Sequence, residues 1–210
     1  MIPSDPQNSE RTATPPLAPV VPPEEPALLP VAPPEEQALL AMNVATLIDH
    51  LEQKHHAFTR DVLARIEAQL PPIIAAHGAR LPVLLEIART FDELSQELAV
   101  HMQKEERILF PYLRTLEAAA LAHLPLRRPA FQSALNPIRV MLQEHDAADI
   151  FLHRLRDLTR SYSPPPGEGP EMGRLYLMLA SLDLDLVRHI DLENRILFPR
   201  AVPLERQTLV

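Results

Sequence analysis

His101-Met-Gln-Lys-Glu105-Glu-Arg-Ile-Leu-Phe-Pro111 and His189-Ile-Asp-Leu-Glu193-Asn-Arg-Ile-Leu-Phe-Pro199 share one pattern, H-x-x-x-E-x-R-I-L-F-P, and lie 88 positions apart. Seven of the eleven positions are identical, which points to two helical hairpins of common origin related by a pseudo-twofold. The spacing carries chemistry. On a helix, residues i and i+4 project from one face, so each His is stacked over its Glu. That face is the apolar one: Phe91, Leu94 and Leu98 lead up to His101, and Leu175, Met178, Leu182 and Leu186 lead up to His189. Two carboxylates are thus predicted inside a core stripe that holds no Lys or Arg. An isolated buried carboxylate costs several kcal/mol or takes up a proton, unless a cation compensates it.

Working outward from the two repeats, nothing alternates with period two, only four glycines occur, and apolar residues recur with helical spacing. Helix one is expected from about Asn43, a suitable N-cap, to Leu70, with Pro71-Pro72 breaking or kinking it before a short stretch to His77. Helix two starts near Pro82 and runs past His101 toward Phe110. A connection over about 117–135 follows. Asn136-Pro137 then opens helix three, which ends near Tyr162, and helix four covers about Glu171 to Leu197. The expected fold class is all-α, an up-down-up-down four-helix bundle.

Residues 1–42 read differently. They are proline-rich and hold an imperfect tandem, PPEEPALLPVA followed by PPEEQALLAMN, which predicts a disordered, polyproline-like tether rather than a folded unit. The expected organisation is therefore a tether over 1–42, a bundle over 43–202 and a C-terminal tail over 203–210. No basic stretch followed by an apolar one opens the chain, and no apolar run reaches the length of a membrane span. A cytoplasmic location fits. The net charge of −8 and the absence of a basic stripe exclude nucleic acid as a favoured partner. With no cysteine, disulfides, iron–sulfur ligation and thiolate zinc sites are ruled out, leaving His, Asp and Glu as the strong metal ligands.

Further imidazoles point the same way. In helix three the stripe Ile138, Met141, Leu142, His145, Ala148, Leu152 puts His145 on the core face. Helix one offers His55 and His56, and the segment after it offers His77. His56 to His101 is 45 residues and His145 to His189 is 44, as the duplication requires. Only one of the neighbours His55 and His56 can point at a shared centre; helical phase, continued from Leu47 and Leu51, prefers His55. Glu97 and Glu144 are each placed either to orient a ligand imidazole or to stand as a solvated carboxylate on the helix face, whereas His50 and His153 fall off the ligand face and His123 falls in the connection between hairpins. Five imidazoles and two carboxylates suit two ions, with Fe, Zn, Mn and Cu all compatible with such donors.

These stretches (LIDHLEQKHH at 47–56, ELAVHMQKEERILFPYL at 97–113, PIRVMLQEHDAADIF at 137–151 and VRHIDLENRILFPRA at 187–201) resemble hemerythrin-like di-iron proteins of the iron–sulfur cluster repair kind. The resemblance implies two iron ions held by His56, His77, His101, Glu105, His145, His189 and Glu193, with the two glutamates bridging. It selects His56 over His55. Many relatives carry a paired-cysteine domain ahead of the bundle, where this chain has its proline-rich stretch. The implied role is repair of iron–sulfur clusters damaged by nitrosative or oxidative stress, through iron delivery or NO handling, with iron–sulfur proteins as clients. The alternative is reversible O₂ binding or sensing of the hemerythrin type.

Overall fold

The computed structural model describes residues 34–209, which form one compact unit. Eight helices follow one another: α1 (Pro34–Ala41), α2 (Val44–His50), α3 (Ala57–His77), α4 (Val83–Lys104), α5 (Phe110–Ala122), α6 (Leu135–Leu158), α7 (Pro170–Leu192) and α8 (Phe198–Thr208). Apart from α1, they make four rods rather than independent elements. A π-helical turn at Leu51–His56 joins α2 to α3, one at Glu105–Leu109 joins α4 to α5, and one at Glu193–Leu197 joins α7 to α8. The four-helix bundle expected from the sequence is present, with α4 packed on α6, α3 on α7, and α5 against both α8 and α2. Among the described residues the sole β feature is an isolated bridge between Leu126 and Leu209.

The proline of the repeated motif explains two of the π turns. A proline inside a helix lacks an N–H and its ring collides with the carbonyl four residues back. Here Phe110 N–H reaches the Glu105 carbonyl and Phe198 N–H that of Glu193, five residues back, so the helix widens just before Pro111 and Pro199 and then continues. The helices expected to end near Phe110 and Leu197 therefore continue past these prolines. The second rod runs on to Ala122, through part of the expected connection, and the fourth runs on to Thr208, through most of the expected tail. Pro71-Pro72 likewise lie inside an unbroken α3.

The extensions matter. Glu117 on α5 caps the start of α2, its carboxylate accepting from Val44 N at 2.6 Å and Ala45 N at 2.9 Å, beside the Asn43 side chain that accepts from Thr46 N. Glu205 on α8 does the same for α6, accepting from Ala134 N at 2.7 Å, Ser133 Oγ at 2.6 Å and Tyr112 Oη at 2.8 Å. Glu117 and Glu205 are again 88 positions apart. The internal twofold thus extends well beyond the eleven-residue repeat.

The core falls into two apolar clusters. One is built on Val62, Ile66, Phe91, Leu94, Leu152, Leu175 and Leu182, the other on Leu47, Leu51, Phe110, Leu113, Met141 and Leu197. Between them lies a layer of buried His and Glu. The expected tether boundary is also moved. Residues 1–33 lie outside the described residues, but α1 belongs to the bundle: Leu39 is buried, Glu36 pairs with Arg195 at 2.9 Å, and Arg200 donates to the Leu40 and Met42 carbonyls. Leu39→Ala should lower stability by about 2 kcal/mol, the low end for a buried leucine, which for a domain of this size is a fall in melting temperature of about 4–8 °C. An unchanged melting curve would show that α1 contributes nothing to the fold.

Candidate metal centre

The layer between the two apolar clusters holds four imidazoles, one from each rod, and two glutamates. His56, His101, His145, His189, Glu105 and Glu193 are all buried, the two carboxylates completely. Their donor atoms converge in two groups, His56 with His189 and His101 with His145, and Glu105 and Glu193 belong to both. His56 and His101 approach Glu105 Oε2 at 3.4 Å each, while His145 and His189 approach Glu193 at 3.1 Å. None of the four carboxylate oxygens has a hydrogen-bond partner among the described residues.

Protonation makes the arrangement one for cations. His56 Nδ1 lies 2.7 Å from Glu106 Oε1, His101 Nδ1 3.0 Å from Glu144 Oε2, and His145 Nδ1 2.9 Å from Asn194 Oδ1. Each of these acceptors fixes the proton on Nδ1 and leaves a lone pair on Nε2. Yet His101 Nε2 faces His145 Nε2 at 3.2 Å, and His56 Nε2 faces His189 Nε2 at 3.3 Å. In the first pair both facing atoms are lone pairs. Facing lone pairs and four orphaned carboxylate oxygens repel one another unless positive ions lie among them. The residues fit two ions sharing two carboxylates.

The electrostatics agree. Burial pushes the His101 imidazolium down to about 4, so the ring is neutral and ready to coordinate. Burial and the neighbouring Glu193 raise Glu105 well above the ordinary carboxylate range. Burial opposes ionisation of Glu193 as well, but His189 and His145 outweigh it and hold that carboxyl low. Burial would lower His189, but Glu193 raises it. Without a cation the two glutamates share the site unequally, one tending to keep a proton.

Each letter of the motif now has a job. The His offers a donor atom to one of the two groups, the Glu belongs to both, and the Phe stacks on an imidazole of another rod: Phe110 on His56 with centroids 5.6 Å apart, Phe198 on His145 at 6.0 Å. The Pro goes with the π turn. The residue after each Glu, Glu106 or Asn194, orients an imidazole, a role not read from the sequence. Glu144 does orient a ligand as expected; Glu97 instead lines a cavity of about 10 Å³, room for one water-sized molecule, bounded by His101, His145 and His189. His123 is a left-handed helix cap, and His153 is exposed beside Asp149.

His77 is not in either group. It sits 21 residues beyond His56 on a continuous helix, about 30 Å away at 1.5 Å per residue, where its Nδ1 lies 2.9 Å from Glu168 and its Nε2 3.3 Å from Glu171. The site therefore has four imidazoles, not five. His55 and His56 are both buried, but His56 enters the centre while His55 turns to Asp185 at 3.0 Å. The π turn at Leu51–His56 adds a residue to the turn and shifts the helical phase, which is why periodicity favoured the wrong neighbour.

His77→Ala should leave metal content unchanged and His56→Ala should lower it, measured by elemental analysis; loss of metal in the His77 variant would restore it as a ligand. Because Glu105 and His189 are raised in the metal-free protein, both hold protons at pH values where free carboxylates and imidazoles lose them. Loading must expel those protons, so affinity rises with pH and falls on acidification. Calorimetry in buffers of different ionisation enthalpy should detect net proton release at neutral pH; no release would contradict the assigned protonation.

Residues 46–201 match the family described as the hemerythrin HHE cation binding domain. Similar proteins include those named "Iron-sulfur cluster repair protein YtfE" from Citrobacter koseri and Escherichia coli O157:H7, each 32% identical over 159 residues, 76% of this chain and 66% of theirs. That from Escherichia fergusonii is 31% identical over the same length. The matched part spans slightly less than two thirds of these relatives. A cation-binding family and a buried His/Glu cluster shared by two groups of ligands agree, and the chain belongs to the hemerythrin HHE cation-binding family.

Proposed function

We propose that the bundle holds a di-iron centre, with His56, His189, His101 and His145 as terminal ligands and Glu105 and Glu193 bridging, and that it serves in repair of iron–sulfur clusters damaged by nitrosative or oxidative stress. The observation that carries the di-iron reading is the sharing of both glutamates between the two ligand groups. A single tetrahedral ion would not need two groups. The repair role rests on the name of the relatives, whose matched portion covers this bundle.

Ferrous iron in such a site would supply redox-active positions that bind small diatomic molecules. The protein's own part is to offer four imidazoles, three of them in fixed tautomers, place two carboxylates between the two ligand groups, and exclude bulk water with the two apolar clusters. Two carboxylates against two divalent ions leave a net positive centre, and the cavity beside His101, His145 and His189 has room for a small neutral molecule. Binding NO or releasing iron to a client protein are both consistent with this arrangement. Reversible O₂ binding is the competing reading, because the same donors would serve it.

Reduced, iron-loaded protein should take up NO, should be oxidised by air without a long-lived oxygenated form, and should speed recovery of an NO-damaged iron–sulfur enzyme. The Glu105→Ala, Glu193→Ala double variant should do none of these. A reversible optical band on cycling O₂, together with no effect on the damaged enzyme, would favour the oxygen-binding reading.

A further inference from the structure

Three of the four ligand imidazoles have a hydrogen-bond acceptor on Nδ1; His189 has none among the described residues. The internal twofold shows why. Glu144, which orients His101, directly precedes His145; the matching position before His56 is His55, which is not an acidic acceptor. The carboxylate that His189 lacks must come from elsewhere. One turn earlier on the same helix stands Asp185. Its Oδ1 accepts from His55 Nδ1 at 3.0 Å, and its Oδ2 is buried and has no partner. The His55 ring in turn stacks on His189, with centroids 5.7 Å apart and planes 22° from parallel. A buried donor without an acceptor and a buried acceptor without a donor thus lie at i and i+4 on one helix face, with a second imidazole against both.

We propose that Asp185 is a positioning residue for the metal centre: its Oδ2 accepts the Nδ1–H of His189 when the His189 Nε2 lone pair is committed to an ion, and His55 holds the carboxylate in place from the other side. This rests on the paired-ion reading above and adds to it. His55 is then buried as part of the support rather than as a ligand, which accounts for two adjacent buried histidines on one helix. Glu97, the counterpart of Asp185 in the other half, is exposed and has no such duty, because Glu144 already serves His101. The two halves of the centre are therefore built with the same ligands and different supports. In one half the orienting carboxylate comes from a neighbouring rod; in the other it comes from the ligand's own helix and is steadied by an imidazole.

The test follows release of ferrous iron from the full chain, loaded with two ions, into an excess of a coloured chelator. Asp185→Ala should speed the departure of one ion by about 10–100-fold, the range typical for loss of an outer-shell partner, and leave the other at the parent rate. Asp185→Asn, which keeps a carbonyl acceptor, should fall between. In the zinc-loaded protein, used as a diamagnetic probe, the slowly exchanging Nδ1 proton of His189 should be visible by NMR in the parent and lost in Asp185→Ala. Unmoved release rates, equal acceleration of both ions, or an NMR signal that survives Asp185→Ala would overturn the role of Asp185. Fewer than two ions in the unaltered chain would overturn the paired-ion reading along with it.

Discussion

Two fully buried glutamates, Glu105 and Glu193, set the terms for the rest of the structure. Among the described residues no Lys or Arg is buried in the core stripes around them, and none of their oxygens has a hydrogen-bond donor. Removing two like charges from water without compensation is among the most costly things a fold can do, and the cost is met in proteins by protonation or by metal. The surroundings are arranged for metal. Four imidazoles converge on the carboxylates, and acceptors on three of them fix the tautomer and turn the Nε2 lone pair inward. Apolar clusters above and below keep the local dielectric low. A bundle whose centre would be self-repelling when empty is one whose stability depends on what it binds.

The architecture is a duplicated hairpin, and the duplication reaches further than the ligands. Glu117 and Glu205 close the far ends of two rods on the same spacing as the glutamates of the centre. Phe110 and Phe198 stack on imidazoles in matched fashion. Against that regularity the departures stand out: Glu106 in one half corresponds to Asn194 in the other, and Glu144 corresponds to His55. A carboxylate behind an imidazole makes the ligand a better donor than an amide does. The two ligand groups are thus unequal in their surroundings although each offers two imidazoles and both share the same two carboxylates.

Much of this was legible in the sequence. The repeated motif gave the number of halves, the i, i+4 spacing gave the face, and apolar stripes gave four rods with His145 turned inward. Several of the misreadings share one physical source, the π turn. Pro111 and Pro199 look like helix ends because proline normally ends helices, but a π turn before each lets the rod continue, so Glu117 and Glu205 appeared to lie in a connection and a tail. The turn at 51–56 has no proline to announce it, and it brings His56 rather than His55 into the His/Glu layer. His77 entered as a fifth imidazole and then through resemblance, and the length of the continuous α3 removes it. The docking of α1 could not be read, because a proline-rich segment with one buried leucine carries no periodic signal.

The most direct test of the central claim is anomalous diffraction at the iron edge from crystals of the iron-loaded protein. The account predicts two peaks per chain about 3.5–4 Å apart, the spacing of carboxylate-linked metal pairs, one beside His56 and His189 and the other beside His101 and His145, with Glu105 and Glu193 between them. A single peak, or a second peak near His77 instead of within the His/Glu layer, would contradict it.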